Sequence, residues 1–299
     1  MPMNMGIFVV IVPLPKQIEF RQKILQRDFR MIYRIDNFTE KSINPVTHLP
    51  FDDSWIVYCL TNSEDYNMLV GSGNSSLYTV KVSRKFSDWK MSICDFMQFH
   101  KSRNKNIILS VSQEDLKCAK EYYAEHKYND NFLRENEPEV LVHSTTYENW
   151  LSIKKDRCLK SWNILKKEKL SWEEEPIGSR LGDPADFSDF IMFSSGGISG
   201  EIVVSSKQNK KIVMDQDKPY KTGVRLYFDI KKIAENGLLI RDGIHLKVAD
   251  ELPLDPYLIW CATWDKVGLT SSVSTPKEFT EKSNNVFNSL FGGNISSDF

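Results

Sequence analysis

The sequence predicts an α+β protein with two folded units and a short tail. Runs rich in β-branched and aromatic residues lie between residues 51 and 112 and are separated by turn residues. The polar stretch Asn129–Pro138 interrupts this pattern and is typical of a domain boundary. A second series of apolar runs begins at Val140. We therefore expect a mixed α+β N-terminal domain over residues 1–136, a second domain over 137–275 and a flexible, polar tail over 276–299.

Composition excludes several classes of protein. The 299 residues include 39 Lys and Arg against 40 Asp and Glu, a net charge of −1, which argues against a polycation or an acidic disordered chain. Apolar residues make up 41%, enough to bury one large core or two ordinary ones. The five cysteines are an odd number without C-x-x-C spacing, so we expect reduced thiols and a cytoplasmic protein. The apolar run Gly6–Leu14 is too short to span a bilayer and predicts a buried strand, so no membrane association is expected.

The N-terminal domain is expected to combine short strands with amphipathic helices. Residues Ser54–Leu60, Ser76–Val82 and Asn106–Val111 predict strands, and Ser112–Lys127 predicts a helix with an N-cap serine. The glycine-containing stretch that starts at Gly71 lacks the third glycine of a dinucleotide loop and predicts a hairpin turn.

A basic stripe marks the predicted helix Lys16–Arg34, in which apolar residues recur at helical spacing. Cations on one helix face can contact a nucleic-acid backbone, although an ordinary solvated face has the same pattern. The stripe consists of Lys23, Arg27, Arg30 and Arg34.

The common catalytic and metal motifs are missing from the sequence. The five histidines form no H-x-x-x-H or Cys/His pair, so no metal is expected. There is also no G-x-S-x-G elbow and no G-x-x-x-x-G-K loop. What remains is an apolar strand that leads from Val140 into His143 and is followed by a helix. A strand end places such an imidazole at the rim of a sheet, where it either faces a ligand or packs as a structural side chain.

Three blocks in a fixed order resemble the ADP-ribosyltransferase superfamily, in particular the DarT-type toxins that modify nucleic acid and the RNA 2′-phosphotransferases. The first block is His143-Ser144-Thr145 followed by Asn149-Trp150, Ile153 and Cys158-Leu159. The second block runs from Gly178 to Ser195, and the third runs from Gly223 to the proline-flanked segment near Tyr257. The resemblance covers about residues 139–265 and implies a split fold of two small sheets with NAD bound between them.

The resemblance implies a set of site residues. His143 would bind the ribose of NAD near the nicotinamide end, and Phe193 would pack on the nicotinamide. Arg180 would contact phosphate, and His245 would act as an acid or a base. Further residues that would contact NAD, the co-substrate, are Ser144, Thr145, Asn149, Ser194 and Ser195.

One departure from the family pattern concerns the carboxylate. Many transferases of this fold carry a glutamate on a late strand, where this chain has Ile244-His245-Leu246. Glu201, which we expect at the head of an apolar strand, is the nearest alternative. The RNA 2′-phosphotransferases also lack that glutamate.

Three functions therefore remain open. The first is an NAD-dependent ADP-ribosyltransferase that modifies nucleic acid, as a toxin or conflict-system effector with an antitoxin as a further partner. The second is an RNA 2′-phosphotransferase. The third is a transferase fold that has lost activity and serves as a binding module.

Overall fold

The computed structural model describes residues 31–39, 41–71, 77–126, 131–169, 176 and 183–296. Within these ranges the protein is a mixed α/β structure with several sheets and seven α-helices. The predicted strand Gly6–Leu14 and three residues of the basic stripe, Lys23, Arg27 and Arg30, lie outside the described residues, as does Arg180. No described helix has both the length and the apolarity needed to cross a bilayer.

The first half contains a five-stranded sheet in the order β1-β5-β2-β4-β3. Strands β1, β5, β2 and β4 are parallel, and β3 is antiparallel to β4 at the edge. The elements are β1 (Ile32–Arg34), β2 (Trp55–Thr61), β3 (Met68–Gly71), β4 (Tyr78–Ser83), α1 (Trp89–Ser102), β5 (Asn106–Ser110) and α2 (Gln113–Glu125). Most of the turn predicted between β3 and β4 lies in residues 72–76, outside the described ranges.

Alternation along β2 explains why this sheet is buried on both faces. Ile56 and Tyr58 pack in a core with α1 and α2, whereas Trp55 and Val57 pack in a second core on the other face. The predicted strands and the helix after Ser112 are confirmed, and the Ser112 hydroxyl accepts a bond from Asp115 N at 3.0 Å as an N-cap.

The prediction of a helix that continues to Arg34 is wrong at its end. Ile32–Arg34 form β1 and pair with Ile107–Leu109 of β5. A β-branched and an aromatic residue suit this edge position. The Arg34 guanidinium contacts the Asp36 carboxylate and the carbonyl of Val111.

The second half contains two three-stranded sheets. One has the order β14-β10-β6 and the other β11-β12-β8, and every pair is antiparallel. Their strands are β6 (Val140–Thr145), β8 (Phe190–Phe193), β10 (Val224–Asp229), β11 (Ile240–Arg241), β12 (Leu246–Ala249) and β14 (Leu258–Ala262). Two short pairs flank them: β7 (Cys158–Lys160) with β13 (Glu251–Pro253), and β9 (Tyr220–Lys221) with β15 (Val273–Ser274). The helices are α3 (Tyr147–Asp156), α4 (Trp162–Lys167), α5 (Ser199–Asn209), α6 (Ile230–Glu235) and α7 (Pro276–Phe291), with a 3₁₀ helix at Ala185–Asp189.

The two three-stranded sheets meet at one backbone bridge between Val142 and Ser194. Val142 N donates to Ser194 O at 2.8 Å, and Ser194 N donates to Val142 O at 2.9 Å. After this pair of hydrogen bonds β6 continues along β10, whereas the chain after β8 turns away. The sheets are thus joined at one point and separate beside it.

The predicted flexible tail is wrong over residues 276–291, because these form helix α7. Thr275 caps the helix by accepting a bond from Glu278 N at 3.1 Å, and Pro276 occupies the first turn. Phe279 and Phe287 are buried against β6 and β10 in the same core as Val142 and Tyr227. The phenylalanines that looked scattered in the sequence therefore lie on the buried face of one helix.

Residues from both halves pack in one hydrophobic core. Phe187 and Phe190, from the second half, belong to the core built by α1, α2 and the first sheet. Arg134, in the segment that links the halves, pairs with the buried Asp95 of α1. Gly243 packs against α1, where an added Cβ would lie 2.4 Å from the Ser92 carbonyl oxygen. The segment near residue 136 therefore connects two halves that pack against each other.

The cysteines show no disulfide. All five are free, Cys94 is buried and the other four are partly exposed.

Truncation of a buried phenylalanine on α7 is expected to lower the stability of the protein. Phe279 is fully buried, so Phe279→Ala should lower the free energy of unfolding by about 3–5 kcal/mol, the usual cost of the cavity left by a phenylalanine. Urea titration followed by circular dichroism measures this change. A loss below about 0.5 kcal/mol, as for an exposed tail, would contradict the packing described here.

Acid should destabilise the shared core through His100. This imidazole is buried beside Phe96 and Phe99, and burial lowers its pKa to about 3. Lys247 and Lys105 lower the pKa further, while Asp242 and Asp186 oppose the shift. Since the folded pKa lies below the ordinary value of 6.5, the stabilisation is complete above pH 6.5 and is lost as the pH falls towards 3.

The expected slope is about 1.4 kcal/mol per pH unit between roughly pH 6 and pH 4. His100→Phe should reduce the slope by about that amount while it retains an aromatic side chain. Denaturant titrations at pH 8, where the imidazole is neutral in both states, separate the packing effect from the protonation effect. Equal slopes for the two proteins would contradict the assignment.

Candidate functional site

His143 lies in the middle of β6, on the face that points towards the core between β6, β8 and β10. Its strand neighbour across the sheet is Leu226 of β10. Leu141, two residues before it, and Leu226 both belong to this core. Val142 and Ser144 point to the opposite face, where α5 and α7 pack. The alternation of β6 therefore divides the predicted site residues between two faces of one sheet.

The surroundings of His143 define the hydrogen-bonding role of each ring nitrogen. Nδ1 lies 3.1 Å from the carbonyl oxygen of Met192, which can only accept, so Nδ1 carries the proton. Burial and the nearby Lys207 ammonium lower the pKa of His143, whereas the Met192 carbonyl raises it less. The ring is therefore neutral at pH 7, and Nε2 is an acceptor.

The turn after β8 begins at the bridge to Val142, the residue before His143. The Ser194 hydroxyl donates to the Val142 carbonyl at 3.3 Å and accepts from Gly196 N at 3.4 Å. Ser195 is exposed. The structure thus places Ser194 across from Val142, next to His143 along β6, where the two sheets are bridged.

Other residues predicted to contact NAD are placed differently. Ser144 lies on the opposite face, and its Oγ is buried 2.6 Å from the position that a Cβ on Gly200 would take. Phe193 is buried edge-on between the rings of His143 and Phe228, with centroids 6.0 and 5.6 Å away, so it supports the imidazole from within the core. Thr145 is buried at the end of β6, and Asn149 is exposed on the first turn of α3.

The prediction that Glu201 lies on a strand is wrong, because it lies in the first turn of α5. The side chain is fully buried beneath the β6–β10 sheet, on the face opposite His143. Its Oε2 accepts a hydrogen bond from the Tyr220 hydroxyl, and its Oε1 lies 3.6 Å from the Arg225 guanidinium. Glu201 is therefore the counter-charge of a buried arginine and does not face His143.

His245 is also separated from His143. It precedes β12, which begins at Leu246, so the predicted late strand starts one residue further on. Its Nδ1 lies 3.2 Å from the Asp242 carboxylate, and its ring packs edge-on against Phe187. Phe187 belongs to the core shared with the first sheet, whereas Phe193 and His143 line the other core. The two imidazoles thus lie on opposite faces of the β8–β12 sheet.

A charged cluster beside His245 was not predicted from the sequence. Lys247 is fully buried, pairs with Asp242 and has its ammonium 3.9 Å from the ring centroid of Phe99 and 4.0 Å from that of Phe187. Burial alone would raise the pKa of Asp242, but His245 and Lys247 hold it well below its ordinary value. Burial lowers the pKa of Lys247 despite the attraction of Asp242. The ion pair joins the β11–β12 turn to β12, and the Lys247 ammonium packs on the Phe99 ring of α1.

The second unpredicted feature is the network around Arg225. This arginine is fully buried on β10, between Val224 and Leu226. Its guanidinium donates to Gly196 O, Thr280 Oγ1 and Asn284 Oδ1, among other acceptors. An arginine between apolar residues of a strand is a detectable signal of a buried charge, because such a residue needs several acceptors.

Metal ligation has no support within the described ranges, where no three His, Cys, Asp or Glu side chains are grouped to hold an ion. Comparisons with protein-family models, with curated proteins and with solved structures found no match to this chain.

The ion pair below the sheet gives a direct test of the position of Glu201. Glu201→Ala should lower the free energy of unfolding by about 3–5 kcal/mol, because it leaves the buried Arg225 without its counter-charge. Glu201→Gln, which still offers an acceptor to Tyr220, should cost less. Thermal and urea unfolding measure both variants, and a stability change within about 0.5 kcal/mol for the alanine variant would contradict this burial.

Proposed function

We propose that the protein is an NAD-dependent ADP-ribosyltransferase whose site includes His143. The observation that carries the proposal is the neutral imidazole next to the junction of two small sheets, with Nδ1 held by the Met192 carbonyl and Nε2 as an acceptor. A ribose hydroxyl is a hydrogen-bond donor that suits this nitrogen. The resemblance of residues 139–265 to the ADP-ribosyltransferase superfamily implies the same role for His143.

The arrangement of the sheets gives further support. Two three-stranded sheets joined at one bridge agree with the split pair of sheets that the resemblance implies. The residues fit NAD in part: Ser194 lies at the bridge next to His143, whereas Ser144 lies on the other face and Phe193 is buried below the imidazole. The proposal therefore rests on His143, the residue predicted to bind the ribose.

In this proposal the chain contributes mainly geometry. NAD supplies nicotinamide as a good leaving group, which departs with the electron pair of its bond to the anomeric carbon, while an acceptor forms the new bond there and releases a proton. His143 holds a ribose hydroxyl through Nε2, and the Met192 carbonyl fixes the ring through Nδ1. Orientation of the reacting carbon is the effect expected to raise the rate.

The acceptor proposed is nucleic acid, since the resemblance is to enzymes that modify DNA or RNA, in a toxin or conflict system. Incubation with NAD and separate samples of DNA, RNA and protein, followed by mass spectrometry, identifies the acceptor by one added ADP-ribose.

A second candidate is an RNA 2′-phosphotransferase, since the RNA 2′-phosphotransferases that this chain resembles also lack the late-strand glutamate. Strand β12, Leu246–Ala249, carries no carboxylate, and the alternative Glu201 is buried on the other face. This candidate predicts that an RNA oligonucleotide with a 2′-phosphate loses that phosphate in the presence of NAD. A cyclic ADP-ribose phosphate would be the second product.

The test of the proposed site is nicotinamide release from NAD. His143→Ala should lower kcat/KM about 100-fold, because the ribose loses the group that orients it. His126→Ala, at the residue that follows the C-terminus of α2, is the matched control and should retain full activity. Chromatography measures nicotinamide, and calorimetry measures NAD binding. If the unaltered protein binds no NAD at millimolar concentration, the proposal is wrong.

A further inference from the structure

The turn between β8 and α5 is held from inside the molecule. Gly196 has φ +108, a left-handed conformation that favours glycine. An added Cβ at Gly196 would lie 2.2 Å from Cγ2 of Ile295, so there is no space for a side chain at this position. The turn is therefore fixed by its backbone contacts.

Two buried side chains donate to the carbonyl oxygens of this turn. Gly196 O accepts from Nη2 of Arg225 at 2.6 Å and from Nδ2 of Asn284 at 2.9 Å. Gly197 O accepts from Nη1 of Arg225 at 3.5 Å. Asn284 comes from α7, 88 residues along the chain from Gly196. The C-terminal helix thus contacts the backbone of the turn directly.

The amide of Asn284 is oriented by further bonds. Its Oδ1 accepts from Nη2 of Arg225 at 3.2 Å and from the Tyr227 hydroxyl at 2.9 Å. The side chain is fully buried, so water cannot replace these partners. With its oxygen held by two donors, the amide points its nitrogen at Gly196 O.

The same turn begins at the bridge between the two sheets, next to His143. Ser194 forms the backbone bridge to Val142, the residue before His143, and its hydroxyl bonds both Val142 O and Gly196 N. A shift of Gly196 therefore moves Ser194 and Ser195 relative to the imidazole. Arg225 also holds the turn, but its buried charge makes it essential to folding. Asn284 is neutral and can be altered with less damage.

We propose that Asn284 is a positioning residue, which acts through the Gly196–Gly197 backbone to hold Ser194 and Ser195 at the distance from His143 that NAD binding requires. The proposal deepens the proposed function and rests on it. The proposal gives α7 an indirect role in binding the dinucleotide. The bonds of Asn284 described above reach Gly196 and Tyr227, not His143.

The experiment compares Asn284→Ala with Phe287→Leu in the full-length protein. Phe287 lies on the same buried face of α7 and stacks on Tyr227 with ring centroids 4.5 Å apart, but it makes no bond to the turn. Both variants weaken the packing of α7, and only Asn284→Ala removes a donor from Gly196 O. Thermal unfolding confirms that both proteins remain folded at the assay temperature.

Two readouts separate positioning from general stability. Asn284→Ala should speed amide hydrogen exchange in residues 194–198 and raise the KM for NAD about tenfold, with kcat for nicotinamide release within about twofold of the unaltered protein. Phe287→Leu should leave both the exchange in the turn and the KM within about twofold of their original values.

The outcomes distinguish the two proposals. Unchanged exchange and unchanged KM in Asn284→Ala, or equal changes in both variants, would overturn the role of Asn284 while His143→Ala still tests the function. Failure of the unaltered protein to bind NAD would overturn the proposed function and the role of Asn284 together.

Discussion

A fully buried guanidinium needs hydrogen-bond acceptors from the protein itself. The packing of the second half is set by the elements that supply these acceptors to Arg225. They come from the turn after β8, from α7 and from Tyr227 on its own strand, with Glu201 of α5 as the counter-charge. Leaving such a charge unpaired costs several kcal/mol. Helices α5 and α7 are therefore held against the same face of β10, and the turn is held between them.

The opposite face of the sheet has a different character. Around His143 lie apolar side chains, the Met192 carbonyl and, further off, the Lys207 ammonium, so the imidazole stays neutral and Nε2 is an acceptor. Because side chains alternate along β6, the charged network and His143 lie on opposite faces of the sheet. The backbone bridge from Val142 to Ser194 joins the strand that carries His143 to the turn that Arg225 holds.

The sequence predicted elements whose local pattern agrees with their packing. Strand β6 and helix α3 are examples, because the apolar run ends at residues that also cap the next helix. Helix α7 was predictable as well: Thr275 and Glu278 have the spacing of a capping box, Thr275 caps the helix, and its buried residues recur at helical spacing. The helical conformation of Glu201–Val204 was not predictable, since its β-branched residues favour a strand locally. Only tertiary packing places them in α5. Which face of β6 each site residue occupies follows from strand register, but the contents of each face depend on distant residues such as Asn284.

The shared core limits how freely the first half could be exchanged for another domain during evolution. Phe187, Phe190 and the ammonium of Lys247 belong to the second half, yet they are covered by α1 and its neighbours. If another domain replaced the first sheet, it would have to cover an aromatic surface that contains a buried cation. The first sheet is thus not an interchangeable module: shuffling it for another would require compensating changes in the 3₁₀ helix and in β12.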